Sequence, residues 1–187
     1  MVSRQEARDS QRPRLLAALM SLVARHGYPD VTVAMLAAEA HVSLSTFYAH
    51  FADKEECLLA AYDDVADELL DVVASAGDRE DWQDSVRSGV EAYVRWFVAR
   101  PEAAATFVVD IHTAGRTALR RRQEVLERFR ALLRHRGCET RAAAALVATL
   151  DAAVHERLVT GDLDALIGEI PALGQLAVAL VGTTTTA

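Results

Sequence analysis

Residues 32–54 read TVAMLAAEAHVSLSTFYAHFADK, and their reading decides the fold. Thr32 is an N-cap residue, and Leu36 and Ala37 follow at helical spacing up to Ala40. His41-Val42 breaks this helix. Ser43 caps a second one over 44–50, anchored by Phe47 and Phe51, and Asp53 caps a third that opens with Glu55 and Glu56, where carboxylates favour the helix dipole. Two short helices joined by a tight turn, the second rich in Ser, Thr and Tyr, is the sequence form of a helix-turn-helix. Leu36, Ala37, Val42 and Phe47 pack the pair together and onto a preceding helix. Leu44, Ser45, Thr46 and Tyr48 are left on or near the outer face of the second helix. Small hydroxyl side chains at a helix start can approach a duplex closely and bond phosphates or base edges. Tyr48, His50 and Lys54 add a phenol, an imidazole and an ammonium suited to phosphate oxygens.

Outward from this block the chain reads as all-α, with about nine helices. Gly (9) and Pro (4) are scarce and period-2 alternation is almost absent, so strands are not expected. A first helix over 12–26 has Pro13 in its first turn, a stripe of Leu15, Leu19 and Leu22, and Gly27 at its end. The helix that begins at Asp53 runs to about 75. Beyond Ala76-Gly77-Asp78, longer helices are expected over 81–99, 101–112, 116–135, 139–160 and 164–181. Pro171 either kinks the last of these or marks its true start.

The 187 residues, 51% hydrophobic and 25% charged, have the proportions of a folded protein of one or two domains. The formal net charge of −7 looks wrong for a nucleic-acid binder, but the excess acid lies outside the first fifty residues, which carry five arginines against four carboxylates. Arg4, Arg8 and Arg12 read as a solvated tail, with a minor-groove or backbone contact as the lesser alternative. No apolar run of membrane-spanning length is seen, the charged start is not that of a signal peptide, and Cys57 and Cys138 have no metal-ligand spacing. A cytoplasmic protein with no metal, no cofactor and no membrane partner is expected.

The segment 27–63, GYPDVTVAMLAAEAHVSLSTFYAHFADKEECLLAAYD, resembles the N-terminal DNA-binding segment of the tetracycline-repressor-like (TetR/AcrR) family of bacterial regulators. The likeness covers roughly 10–65. Gly27-Tyr28, the Thr32-capped helix, Val42-Ser43, Thr46-Phe47-Tyr48, His50-Phe51 and Lys54-Glu55 all fall at the family's spacing. The resemblance implies that the second helix of the motif enters the major groove, that Ser43 caps it, and that Tyr48 and Lys54 hold phosphates. It also implies a variable C-terminal domain that encloses a small-molecule pocket and dimerises through its last two long helices. The division expected is an N-terminal three-helix domain at 1–52, linked through the fourth helix (53–76) to a C-terminal domain at 53–187. Two departures stand out: His41 occupies the turn position where the family usually has glycine, and Ser45 replaces another frequent glycine. Leu44 resembles a base-reading position, where contact with a thymine methyl is expected, and Ala34 could act likewise.

In the C-terminal part, Trp96, Phe97, Phe107 and Phe129, with Tyr93 and Ile111, are candidate pocket residues beside the alternative that they are simply core. His112 and His155 are the candidate polar groups of the pocket, with Asp110 and Thr113 as further ones. The run Arg116, Arg120, Arg121, Arg122 reads as a solvated face. The last two helices carry broad apolar stripes: Leu146, Leu150 and Val154 on one, Leu166, Ile170, Leu173, Ala177 and Leu180 on the other. A four-helix bundle with a second copy would cover them, and burial within one subunit is the alternative. Enzyme signatures are absent: no G-x-S-x-G, no H-E-x-x-H, no P-loop, no G-x-G-x-x-G and no C-x-x-C. The expected function is a homodimeric, ligand-responsive regulator, a repressor released from a palindromic operator on double-stranded DNA by a small, largely apolar effector. A helical small-molecule-binding protein or enzyme with a non-functional DNA-binding motif is the alternative.

Overall fold

Hydroxyl and carboxylate caps set where most helices begin. Thr32, Ser43, Asp53, Asp81 and Glu139 each accept a backbone N–H from the first turn of the helix that follows. The computed structural model describes residues 4–181, with side chains from residue 11. Among the described residues there are nine α-helices and no strand: α1 (Arg4–His26), α2 (Val33–Glu39), α3 (Leu44–His50), α4 (Lys54–Ala76), α5 (Trp82–Val98), α6 (Pro101–Ala104), α7 (Arg116–His135), α8 (Thr140–Thr160) and α9 (Leu166–Val181). The arm residues Arg4 and Arg8 lie outside the described side chains.

Two elements differ from the periodicity reading, and one open alternative is resolved. α1 begins at Arg4, well before residue 12, so Pro13 is inside it. The preceding segment is polar on every side and gave no apolar stripe to read. An internal proline removes one backbone hydrogen bond, and here its ring is exposed, so the helix continues through it. The single helix expected over 101–112 is composite. Four α-helical residues pass into a π turn, Ala105–Val109, and then a 3-10 turn, Asp110–Thr113. Pro171 does not start the last helix, which begins at Leu166 and carries the proline inside.

α1, α2 and α3 pack around Leu15, Leu19, Leu36 and Phe47, all fully buried, and α1 continues onto α4, α6 and the π turn. In the rest of the chain α5 is central. It packs on α4, α8 and most extensively on α9, while α7 bridges α4 and α8. Tyr62 of α4 stacks on Phe107 of the π turn with ring centroids 4.5 Å apart, joining the two halves of one continuous core. Arg122 does not belong to a solvated face. It is buried and ion-paired to Asp151 of α8, because the inner side of α7 leads it into the core.

α9 is the most apolar helix. By length and composition 163–181 could cross a membrane, and less than a quarter of that stretch is buried in the subunit. One side packs on α5 and α8, and Glu169 pairs with Arg157. Ile167 and Leu176, nine residues apart and so on opposite flanks of that packed side, are both exposed, and on α8 Val159 is 68% exposed.

Candidate nucleic-acid interface and ligand cavity

The turn between α2 and α3 is a Schellman closure. The N–H of Val42 reaches the Ala37 carbonyl (2.9 Å) and that of His41 the Ala38 carbonyl (3.1 Å). This closure needs a left-handed residue after the helix, and His41 supplies it at φ 52°. The sequence departure at this position therefore leaves the turn intact. Arg14 of α1, which the sequence gave no reason to single out, donates from Nη2 to the carbonyls of Ala40 and His41 and clamps the turn from below. Arg25 pairs with Glu39 at 2.7 Å and fastens α1 to α2.

α3 is two-faced. Phe47 is fully buried, while Leu44 is 50% and Tyr48 58% exposed. Ser45 is also exposed and Thr46 half-buried. Ser43 Oγ accepts the Thr46 N–H at 3.0 Å and lies 2.8 Å from Ser45 Oγ, so the hydroxyls form one cluster at the helix start. Thr32 and Ala34 are exposed at the start of α2, where Thr32 Oγ1 accepts the Met35 N–H. His50 is half-buried, with its ring 6.3 Å from that of Phe51.

Lys54 is the exception. Its Nζ donates to the carbonyls of Tyr28 (3.1 Å), Pro29 (3.1 Å) and Val31 (2.8 Å), and it lies 4.5 Å from the centre of the Tyr28 ring. An ammonium has three protons, and all three are used. Lys54 thereby ties the 3-10 turn Tyr28–Asp30 to the start of α4, and the expected phosphate contact would have to compete with these three carbonyls. From the other side, the 3-10 turn Asp110–Thr113 packs on Tyr28–Asp30; burial pushes the Asp110 carboxyl up, and the nearby Tyr28 N–H offsets part of that rise. Asp110 and Thr113 are not in the wall of the cavity described next.

A cavity of about 60 Å³ lies between α4, α5, α7 and α8. Of the candidate pocket residues, Tyr93, Phe107 and Phe129 line it. Trp96, Phe97 and Ile111 are buried but lie away from its wall. Trp96 donates Nε1–H to Glu68 at 3.1 Å and lies under the Arg100 guanidinium. His112 and His155 are exposed and do not reach it. Val86, Val90 and Trp82 of α5, which the sequence reading passed over, supply much of the wall, and Ser85 and Arg136 give it a polar end.

Of the expected interface residues, five are turned into the subunit itself. Leu146 and Leu150 line the cavity, and Val154, Leu166 and Ala177 are buried in the subunit's own core. Ile170, Leu173 and Leu180 are half-buried against that core. A stripe can be turned inward or outward, and these turn inward because α5 lies against α8 and α9. The outward residues are those between them in sequence.

Residues 15–61 match the family described as bacterial regulatory proteins, tetR family. No curated protein sequence matches the chain. Solved structures do. The fatty acid degradation regulator FadR from Bacillus halodurans is 20% identical at a TM-score of 0.79, over 95% of this chain and 97% of that one. FadR from Bacillus subtilis in complex with stearoyl-CoA is 16% identical at 0.76, over 90% and 97%. A TetR-family member from Streptomyces coelicolor is 25% identical at 0.78, over 91% and 98%. The capped corner, its exposed second helix and the match over it agree: residues 15–61 are similar to the segment that the tetR family of bacterial regulatory proteins shares.

Proposed function

We propose that the chain is a homodimeric transcription regulator, a repressor that leaves a near-palindromic operator when a small, largely apolar effector occupies the cavity. The observation that carries this reading is the two-faced α3, which keeps Phe47 inside and presents Leu44, Ser45 and Tyr48 to solvent. Such a rod fits a major groove, with Ser43, Ser45 and Tyr48 toward phosphates and Leu44 toward base edges. The proposed division is a DNA-binding domain at 1–52 and an effector and dimerisation domain at 53–187, which share α4 as their link. The low burial of apolar α9 within the subunit, with Ile167 and Leu176 exposed there and Val159 exposed on α8, supports dimerisation through these two helices. In the dimer the two α3 helices would stand roughly 34–36 Å apart, one turn of the duplex.

Effector coupling has a physical route. Phe107 stands in the cavity wall and stacks on Tyr62 of α4, and the 3-10 turn that begins three residues on packs against the turn that Lys54 holds. A ligand that moves Phe107 moves the base of the DNA-binding corner. It acts only to the extent that it binds the two states unequally, typically by about 1–3 kcal/mol. The similar fold of FadR from Bacillus subtilis with stearoyl-CoA bound, and of the multidrug binding protein EbrR complexed with imidazole, supports an effector site in this fold.

A mobility-shift assay with the DNA upstream of the chain's own gene tests the reading. Retention at one palindromic stretch, lost on mixing with effector, is the expected result. A chain that retains no DNA at any salt concentration is a ligand-binding protein with an idle corner. Val159→Glu with Leu176→Glu is expected to give folded monomers by sedimentation, and a persisting dimer would move the interface elsewhere.

A further inference from the structure

The inner side of α7 runs Arg122, Leu126, Phe129, Leu133, Arg136, with steps of four, three, four and three residues. An apolar stripe is closed by a guanidinium at each end. At a rise of about 1.5 Å per residue the two stand roughly 21 Å apart along the helix. Their charges are handled differently. Arg122 is buried and ion-paired to Asp151, so that end is neutral overall. Arg136 lines the cavity, and no carboxylate among the described residues pairs with it. Its Nη1 donates to the Gly77 carbonyl (2.5 Å) and reaches Ser85 Oγ (3.3 Å), and Nη2 donates to the Ala74 carbonyl (2.7 Å). These acceptors carry partial charge only. Nε–H and the second Nη2 proton are left over, and a guanidinium keeps its full charge at any working pH. The approach is so close that a Cβ at Gly77 would stand 2.2 Å from Nη1, so the backbone there is built around this cation.

The remaining wall is almost wholly apolar, from Val86 and Val90 through Leu126 and Phe129 to Tyr93 and Phe107. One end therefore offers an uncompensated positive charge, and the walls offer only dispersion and burial. A cationic ligand would be repelled by Arg136, and a neutral alcohol would gain one ordinary hydrogen bond. A carboxylate gains a charge-assisted pair, which is about twice as strong. Taking the cavity as the effector site proposed above, we infer that it receives a monocarboxylate with an apolar tail, the carboxylate on Arg136 and the tail pointing toward Tyr93 and Phe107. At about 60 Å³ the space holds roughly four or five water-sized bodies, so the tail is short or the half-buried Trp82, Leu132 and Leu133 move aside.

Calorimetric titration of the full chain, without DNA, tests this with hexanoate, 1-hexanol and hexylamine as probes. Hexanoate is expected to bind at least about tenfold more tightly than 1-hexanol, and hexylamine more weakly than either. Arg136→Gln should bring hexanoate down to the level of 1-hexanol and leave 1-hexanol unchanged, while Arg136→Lys keeps part of the preference. Because Arg136 also holds the end of α4, thermal melting is run on each variant. Val90→Phe, which fills the cavity without touching the arginine, is expected to remove binding of both probes. Equal affinity for acid and alcohol in the unaltered protein, a preference for the amine, a preference that survives Arg136→Gln or Val90→Phe, or no heat from any probe at about millimolar concentration would overturn the assignment. Hexanoate bound at Arg136 with operator affinity unchanged would leave the assignment standing and sink the regulatory reading instead.

Discussion

The N-terminal corner and the helical body that follows it use the same kinds of side chain in opposite ways. In the corner, apolar residues are few and each has one job: Phe47 goes in and Leu44 stays out, three residues away on the same helix. Its cations are turned inward, Arg14 to the turn carbonyls and Lys54 to three carbonyls of the preceding turn. In the helical body apolar residues lie on nearly every side, and packing sorts them into cavity wall, dry core and exposed face. There a cation is left at the edge of the cavity, and a second is sunk into the core on Asp151. Local hydrogen-bond chemistry rules the first region and long-range packing the second.

That contrast can be broken at four places. Asp151→Ala should cost about 3–5 kcal/mol in chemical denaturation, because it leaves the buried Arg122 charge without its partner. The double change Arg122→Met with Asp151→Leu should recover most of that loss, and a double variant as unstable as the single one would show that the pair matters for its shape rather than its charge. In the corner, Phe47→Ala should cost about 3–5 kcal/mol and Leu44→Ala within roughly 0.5 kcal/mol, although both lie on α3. Leu44→Ala should instead shift operator preference at one base pair by about 1–3 kcal/mol, and uniform weakening on every sequence would deny it a base contact.

Lys54→Ala separates a structural cation from a phosphate-binding one. With three carbonyls losing a charged donor, stability should fall by about 2 kcal/mol, while the dependence of operator affinity on salt keeps its slope. A slope lower by about one, with unchanged stability, would return Lys54 to the duplex. His41→Gly has the smallest expected effect, a gain of roughly 0.5–1 kcal/mol from relief of the left-handed backbone, read as a small rise in melting temperature.

The corner was legible because its signals act over three or four residues. Thr32, Ser43 and Asp53 cap the helices they precede, and no distant contact is needed for them to do so. The role of Lys54 was not legible, since its partners lie 23–26 residues back and depend on how Tyr28–Asp30 folds against α4. For α8, periodicity found the stripe of Leu146, Leu150 and Val154 but not the direction it faces. An apolar face lowers its free energy equally well against a partner copy or against α5. The α7 stripe did carry a readable sign, two arginines in register with Leu126 and Phe129. Only the carboxylate on α8 tells which of the two is neutralised.

From its residues alone the chain is fixed as helical, with a bihelical corner between 32 and 51 whose second helix is apolar on one side and hydroxylated on the other. Caps, breakers and 3.6-residue spacing suffice for that, because each acts within a turn or two of backbone. Which leucines wall a cavity, which cation is left unbalanced and which side of α9 stays open were decided only when the helices packed. Those outcomes depend on contacts between residues tens of positions apart, and the hydrophobic effect that drives them has no direction of its own.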